Sequence, residues 1–255
     1  MILAVDIGNT NITLGVYEGN KLCFTSRLAT DVRRTADQYA IELRDILHLN
    51  SMSSKDIDGA VIGSVVPAVG AAFNRAVGKL FGVQAVVIGP GVRSGLNIRI
   101  DNPAQLGADL VAGAVAAAAK YPKPCIVFDL GTATTVSVID ADGTMIGGAI
   151  AAGPVTSLEA LAAHTAQLPY IDLTAPKNVI GSNTIDCMRS GIIIGAAAML
   201  DGMAARIEGE LGQRATLVAT GGLAERVVAN CEREVIIDDD LLLEGLLIVY
   251  EKNKR

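Results

Sequence analysis

Asp6-Ile7-Gly8-Asn9-Thr10-Asn11 forms the first turn of the chain, directly after the apolar run from Met1 to Val5. A strand that delivers a carboxylate into a turn with glycine, hydroxyl and amide groups suits phosphate and metal chemistry. Glycine lets the backbone approach an anion closely, and free N–H groups in such turns bind phosphate oxygens. Alone, the turn is a weak signal, because these residue types are common wherever a strand ends.

A second copy of the pattern strengthens that signal. Phe128-Asp129-Leu130-Gly131-Thr132-Ala133-Thr134-Thr135 repeats it about half a chain later. In both copies Asp-x-Gly precedes apolar and Thr-rich residues typical of a strand, and an acidic turn follows, Glu18-Gly19-Asn20 or Asp140-Ala141-Asp142-Gly143. We interpret this as an internal duplication in which each half presents an acidic turn to a shared cleft.

The composition indicates a soluble protein with a large core. The chain has 255 residues, of which 51% are apolar, so it can bury one large core or two smaller ones. The net charge is −6 and no basic cluster occurs, which argues against nucleic acid as a partner. The first residues do not resemble a signal peptide, and the longest apolar runs are shorter than the roughly 20 residues of a membrane-spanning helix. We expect a cytoplasmic protein with no membrane partner.

Histidine and cysteine chemistry is not indicated. The four cysteines lie far apart, which favours reduced thiols over disulfides or zinc ligands. The two histidines, His48 and His164, cannot form a catalytic or metal-binding cluster, and both fit the ends of predicted helices.

The hydrophobic pattern predicts a mixed α/β fold in two domains, residues 1–120 and 121–255. Three strands come first, and helices then alternate with strands, which is typical of mixed sheets covered by helices. Thr35 and Gln38 have capping-box spacing, and Pro67 suits the first turn of a helix. In the second half we expect a loop over 153–157, a short helix over 158–163, and a long helix from Asn183 or Thr184 to about Leu211. Strands and a closing helix over 241–250 complete the pattern.

Two further places attract attention. Gly107-Ala108-Asp109 leads into an apolar helix, where a carboxylate is partly desolvated and needs partners or a catalytic role. Alternatively, Asp109 is there because the helix dipole favours an acidic first turn. Similarly, Thr220-Gly221-Gly222 suits either a nucleotide's sugar or α-phosphate or an ordinary tight turn.

The turns at strand ends resemble those of the acetate and sugar kinase, Hsp70 and actin superfamily, in which two ribonuclease-H-like domains hold ATP in the cleft between them. The closer resemblance is to type III pantothenate kinases, which catalyse the first step of coenzyme A synthesis. It covers nearly the whole chain. Besides the two Asp-x-Gly turns, it rests on Arg33-Arg34-Thr35-Ala36-Asp37-Gln38-Tyr39, Asp101-Asn102-Pro103, Gly107-Ala108-Asp109, Gly147-Gly148-Ala149-Ile150, Ser157 with Ala160-Leu161, Thr165-Ala166-Gln167-Leu168-Pro169, Gly181-Ser182-Asn183-Thr184 and Thr220-Gly221-Gly222-Leu223.

The resemblance implies a role for each matching position. Asp109 would be the general base toward pantothenate, Asp129 would bind a monovalent cation (K⁺ or NH₄⁺), and Asp6 would lie near the Mg²⁺ of ATP. A homodimer would complete the substrate site. The implied ATP-binding residues are Asp6, Ile7, Gly8, Asn9, Thr10, Asn11, Ile12, Thr13 and Thr132, and the implied pantothenate-binding residues are Gly107, Ala108, Asp109, Leu110 and Thr184.

Three positions depart from the family pattern, all on the implied substrate side. Leu110 stands where the family usually has Arg, Ile100 where many members have Tyr, and Ala152 where many have Pro. Losing a charge-assisted contact to the carboxylate of pantothenate would weaken binding by about 1.5–3 kcal/mol. Two alternatives therefore stand beside a pantothenate kinase: a kinase for a related hydroxyl compound, and a non-catalytic nucleotide-binding regulatory protein.

Overall fold

The computed structural model describes residues 1–254 and divides the chain into two compact units. Unit 1 comprises residues 1–96, residues 101–116 and the segment from Leu241 onward, and unit 2 comprises residues 97–100 and 117–240. The closing helix thus groups with unit 1, whereas the sequence prediction assigns it to the second domain. The division of the chain at residue 120 stays a prediction.

Both units consist of a sheet and the helices that cover it. The strands are β1 Ile2–Ile7, β2 Asn11–Glu18, β3 Lys21–Ala29, β4 Gly59–Ser64, β5 Val86–Val87, β6 Asn97–Ile98, β7 Cys125–Leu130, β8 Ala133–Ile139, β9 Thr144–Ala152, β10 Thr216–Thr220 and β11 Ile236–Ile237. The helices are α1 Ala36–Leu49, α2 Pro67–Phe81, α3 Ala108–Lys120, α4 Pro154–His164, α5 Thr184–Arg189, α6 Gly195–Leu211, α7 Ala224–Val228 and α8 Leu241–Asn253. Between α5 and α6 the helix continues as one π-helical segment, Ser190–Ile194.

The two sheets repeat one topology. The order is β3-β2-β1-β4-β5 in unit 1 and β9-β8-β7-β10-β11 in unit 2, where β6 extends the sheet beside β9. In each sheet the first strand is antiparallel to the second and parallel to the fourth. Asp6 and Asp129 are both the next-to-last residue of that first strand. The repeat is what the predicted internal duplication requires.

Burial of both faces of β1 holds the Asp6 turn in place. In β1, Leu3, Val5 and Ile7 pack into the cluster that contains Tyr39 of α1 and Phe73 of α2, whose ring centroids are 5.3 Å apart. On the opposite face, Ala4 belongs to a cluster formed with α3 and α8. Because both faces of β1 are buried, the strand register is fixed and the turn that follows has one position.

Strand β7 of unit 2 is also held by burial of its apolar residues. Ile126, Phe128 and Leu130 form one buried face of β7 and pack with Ala197 and Leu200 of α6. This packing orders the end of β7, which carries Asp129 and leads into the second Asp-x-Gly turn.

Helix starts follow the local sequence signals. Thr35 caps α1 through a complete capping box, and Pro67 is the first residue of α2, as predicted. Asn183 caps α5, with its Oδ1 accepting from the backbone N–H of Asp186 at 3.0 Å. The predicted loop over 153–157 is wrong, because α4 already begins at Pro154, where a proline without an N–H group is tolerated in the first turn.

The continuous helical stretch Thr184–Leu211 contains 28 residues. Within the described part of the chain it is the one helix long and apolar enough to cross a bilayer, judged by length and composition alone. Helices of soluble proteins also meet this criterion, so it is weak evidence for a membrane span.

Candidate functional site

The turn after β1 is tightly closed by backbone hydrogen bonds. The N–H of Gly8 donates to the carbonyl oxygen of Asn11 at 2.9 Å. Directly after β3, the Thr30 hydroxyl donates to the Gly8 carbonyl at 2.7 Å, and the Thr30 N–H donates to the Thr10 carbonyl at 3.0 Å. These bonds fix the loop in one conformation, as a phosphate-binding turn requires.

The predicted ATP-binding residues of this turn divide by burial. Ile7 and Ile12 are fully buried and anchor the two strands, whereas Asn9, Thr10 and Asn11 are exposed. Asp6 and Thr13 are half-buried and pair with each other across β1 and β2, and Gly8 is also half-buried. The apolar members therefore support the loop, and the polar members face solvent where a ligand can reach them.

Asp109 is held in the first turn of α3. Its Oδ1 accepts from the backbone N–H of Leu110 at 2.7 Å. Burial raises the pKa of the Asp109 carboxyl above its ordinary value of 3.8, and the hydrogen bonds from the backbone N–H groups of Leu110 and of Asp109 itself oppose this shift only in part. A carboxylate with a raised pKa at a helix head is a candidate general base.

Gly107 leaves the space that the Asp109 carboxylate occupies. A Cβ atom at Gly107 would lie 2.3 Å from Asp109 Oδ1 and 3.5 Å from Val65 Cγ1. Because real Cβ atoms do not come so close to an oxygen, any other residue at 107 would displace the carboxylate. The glycine of the predicted Gly107-Ala108-Asp109 motif thus has a steric function.

The end of β1 and the head of α3 are neighbours within unit 1. Gly63 of β4 pairs with the acidic residue of β1, and a Cβ atom there would lie 3.6 Å from the Cβ of Ala108. Val65 donates its N–H to the carbonyl oxygen of Ile7 at 3.0 Å, and its side chain reaches Gly107. The structure therefore places the predicted phosphate turn and the predicted base at the same edge of one sheet.

In unit 2, two glycines surround the Asp129 carboxylate. Gly221 has φ +95, and a Cβ there would lie 2.6 Å from Asp129 Oδ1 and 2.8 Å from the backbone N of Leu130. A Cβ at Gly131 would lie 3.8 Å from the same Oδ1. The glycine at 221 therefore lets the backbone pack directly against the Asp129 carboxylate, the group to which the resemblance assigns a monovalent cation.

The Thr132 turn is fixed to the head of α4. The carbonyl oxygen of Thr132 accepts from the N–H of Gly153 at 3.1 Å and from the hydroxyl of Thr156 at 2.6 Å. A Cβ at Gly153 would lie 2.2 Å from the carbonyl oxygen of Gly131, so the two loops touch backbone to backbone. The Thr132 side chain is exposed and remains accessible to a nucleotide.

Thr184 lies in an open groove of unit 2, here called the Thr184 groove, with a volume of about 1150 Å³. It is formed by α4, the adjoining ends of β8 and β9, and the helix from α5 to the start of α6. Its lining includes Thr134, Leu161, Thr184, Met188, Ile192 and Met199. None of the described residues that line it is Asp, Glu, Lys, Arg or His. The groove is large enough for a small molecule, and its lining suits uncharged groups.

The described side chains form no cage for a divalent metal ion. Among residues 1–254, no three His, Cys, Asp or Glu residues are grouped so as to hold a metal ion. Mg²⁺ usually takes only one or two protein carboxylates and completes its shell with phosphates and water. The carboxylate of Asp6 beside a phosphate turn therefore fits Mg²⁺ that arrives with ATP.

Sequence reasoning missed two parts of this arrangement. It did not predict the Thr184 groove, and it gave no role to Thr134, although Thr134 lies in the second acidic motif. The alternation of side chains along a strand would have predicted that Thr134 and Val136 lie on the same face of β8. Nothing in the local sequence reports the helix that faces them.

Comparisons with known proteins identify the family of the chain. The family model for type III pantothenate kinase matches residues 2–206. A type III pantothenate kinase of Moorella thermoacetica is 44% identical, covering 99% of this chain and 100% of that protein, and one from an Exiguobacterium species is 42% identical over the full length of both. The structure also resembles the activator of 2-hydroxyisocaproyl-CoA dehydratase from Clostridium difficile, solved with bound ADPNP.

The resemblance to this dehydratase activator has a TM-score of 0.55 at 14% sequence identity, and it covers 97% of this chain and 92% of the activator chain. At such identity it shows the fold alone, and it confirms the predicted class of two ribonuclease-H-like domains with mixed sheets flanked by helices. The family model and the full-length relatives carry the assignment further. The chain belongs to the type III pantothenate kinase family.

Proposed function

We propose that Asp109 is the general base with which this family member phosphorylates the primary hydroxyl of pantothenate. ATP is the phosphoryl donor, and the product is 4′-phosphopantothenate, the first intermediate of coenzyme A synthesis. The observation that carries the role of Asp109 is its half-buried carboxylate with a raised pKa, held beside the phosphate turn of the same unit.

The chemistry follows from these groups. The pantothenate hydroxyl gives its proton to Asp109 as its oxygen forms a bond to the γ-phosphorus. The bond from that phosphorus to the β–γ bridging oxygen breaks, and ADP leaves. Such transfers depend mainly on positioning and charge neutralisation, which a base, a phosphate turn and cations can supply. A well-placed general base contributes about 100- to 10,000-fold in rate.

The nucleotide and its cations would be held by the two Asp-x-Gly turns, which begin at Asp6 and Asp129. In our proposal residues 6–13 bind phosphate oxygens of ATP, Asp6 contacts the accompanying Mg²⁺, and Thr132 contacts the nucleotide. Asp129, against which the backbone of Gly221 packs, would bind K⁺ or NH₄⁺. These cations neutralise phosphate charge.

For the acceptor, we propose contacts from Gly107, Ala108, Leu110 and Thr184. Leu110 is half-buried and cannot supply a charge to the acceptor's carboxylate. Acceptors with and without a carboxylate should therefore bind with similar strength. Leu110 thus gives no preference for pantothenate over a related hydroxyl compound, and a comparison of the two acceptors in an activity assay shows which is the better substrate.

We also propose that the protein is a homodimer that uses the face around Thr184. Val179 and Ile180 are 66% and 88% exposed, and both precede α5 closely in the chain. Only 28% of the most apolar window of Thr184–Leu211 is buried within the chain. Exposed apolar surface of this kind is typical of protein–protein contacts. Ile180→Asp should shift the protein toward monomer in sedimentation experiments, whereas Leu49→Asp, at another exposed site (82%), should not.

The protein is a non-membrane kinase, and we infer that it acts in the cytoplasm, where pantothenate and ATP meet.

An acceptor assay tests the proposed function. The protein is incubated with ATP, Mg²⁺ and either K⁺ or NH₄⁺, and ADP release is followed. One reaction contains pantothenate, and a parallel reaction contains the analogue in which an alcohol group replaces the carboxylate. We expect turnover of pantothenate that requires the monovalent cation. Turnover with neither acceptor, while ATP still binds, would instead favour a regulatory nucleotide-binding protein. A marked preference for the analogue would favour a kinase for a related compound.

A further inference from the structure

One buried hydroxyl in the Thr184 groove has no hydrogen-bond partner among the described residues. Thr134 is 1% exposed, and within residues 1–254 its Oγ1 makes no hydrogen bond. A buried hydroxyl without a partner is unfavourable in the free protein, and native proteins seldom retain one without a reason.

The position of Thr134 connects this hydroxyl to the groove. Thr134 precedes Val136 by two residues in β8, and Val136 packs in the cluster with Ala197 and Leu200 of α6. Because alternate residues of a strand share a face, Thr134 points to the side of the sheet that α6 covers. It lines the same groove as Thr184.

From these observations we propose that Thr134 is an acceptor-binding residue whose hydroxyl hydrogen-bonds an uncharged polar group of the substrate, an amide or a hydroxyl. The inference rests on the proposed function, because it takes Thr184 as a contact of the acceptor. The lining favours an uncharged group, since it offers apolar walls from Leu161, Met188 and Ile192 and no charged side chain. A ligand of this class would supply the missing partner of Thr134.

The test is the substitution Thr134→Val, which replaces the hydroxyl by a methyl group at nearly constant shape. In the free protein we expect a melting temperature no lower than that of the wild type, because no hydrogen bond is lost. The KM for pantothenate should rise about 3- to 10-fold, the effect of one neutral hydrogen bond. The KM for ATP should stay within about twofold. Thr134→Ser, which keeps the hydroxyl, should restore most of the affinity for pantothenate.

Thr144→Val is the matched control. Thr144 is also buried in the unit 2 sheet, but its Oγ1 accepts a hydrogen bond from Asn97 Nδ2 at 3.0 Å. This variant should lower the melting temperature and leave the KM for pantothenate unchanged. The pair therefore separates a ligand-binding hydroxyl from one that only stabilises the fold.

Each other outcome overturns the inference. An unchanged KM for pantothenate in Thr134→Val, with normal wild-type turnover, would mean that water or nothing meets the hydroxyl, and the proposed function would stand. A changed sedimentation coefficient without a change in KM would assign this part of the groove to a second copy of the chain. If the wild type does not turn over pantothenate at all, the proposed function fails and this inference fails with it.

Discussion

Replacing Asp109 by Asn changes one atom of the group on which the proposed chemistry depends. An amide oxygen can still accept from the Leu110 N–H, which the carboxylate does at 2.7 Å, so the first turn of α3 should remain intact. The amide cannot take a proton from a hydroxyl. Loss of a general base predicts that kcat falls about 100- to 10,000-fold, equivalent to about 2.7–5.5 kcal/mol in the activation free energy. The KM for ATP should change little.

The same substitution should stabilise the protein. Burial raises the pKa of Asp109 in the folded state, so the folded state binds the carboxyl proton more tightly than the unfolded chain does. Stability from this group is therefore fully present below the unfolded pKa near 3.8 and is lost as pH rises through the higher folded pKa. At pH 7 the wild type carries the unfavourable buried charge, and Asp109→Asn does not. We expect a higher melting temperature for the variant at pH 7 and a smaller difference near pH 3.

Steady-state kinetics across pH and thermal melts at the two pH values measure both effects. In the wild type, kcat/KM should fall tenfold per pH unit on the acid side of an apparent pKa above 3.8, because the base must be ionised. The residual activity of Asp109→Asn should lack this acid limb. A kcat within about threefold of the wild type would refute the role of Asp109, since a base contributes far more. A lower melting temperature would show that its buried charge is well paired.

The remaining predictions concern glycines and a helix cap. Gly107→Ala should lower kcat about 100-fold, because its Cβ would displace the Asp109 carboxylate from its present position by direct contact at 2.3 Å; a wild-type rate would show that the carboxylate has other room. Gly221→Ala should destabilise the fold by about 1–3 kcal/mol and abolish the activation of the enzyme by K⁺. The control Gly212→Ala also has a positive φ (+69), but a Cβ there would meet nothing within 4 Å. It should lower stability by less and leave activation by K⁺ intact. Equal effects of both glycine variants in urea unfolding and cation titration would contradict the predicted cation site. Thr35→Ala should lower the free energy of unfolding by about 0.5–2 kcal/mol without affecting kcat, because it removes the capping box of α1; an unchanged urea midpoint would contradict this.

The fold was predictable where local sequence and long-range repetition agree. The Asp-x-Gly echo at Asp6 and Asp129 indicated two similar halves, and both strands now occupy the same place in sheets of one topology. The caps at Thr35 and Asn183 and the helix start at Pro67 depend on residues within one turn, so the sequence reports them directly.

Features that depend on distant contacts were not predictable. The π-helical segment Ser190–Ile194 lies inside one continuous helical stretch, and it contains no proline that would mark a break. The grouping of the closing helix with unit 1 depends on contacts such as that of Gly245, where a Cβ would lie 1.9 Å from the carbonyl oxygen of Ala112. Such close approaches join segments far apart in the chain, and no local pattern indicates them.

The candidate site shows the same division. The sequence identified the acidic residues and the glycines beside them as turn residues. It could not show that Gly107 makes room for Asp109, or that Gly221 lies against Asp129. It also left open whether Asp109 is a base or only a favourable first-turn residue. The raised pKa and the neighbouring turn predicted to bind phosphate favour the base, and kinetics tests that choice.

The most direct test of the central claim is the identity of the product formed from ATP and pantothenate, determined by mass spectrometry and phosphorus NMR. The proposed function predicts one phosphate on the primary hydroxyl of pantothenate and one ADP for each product molecule, with both reduced together in Asp109→Asn. Release of ADP and inorganic phosphate without a phosphorylated acceptor, or equal product from wild type and variant, would contradict it.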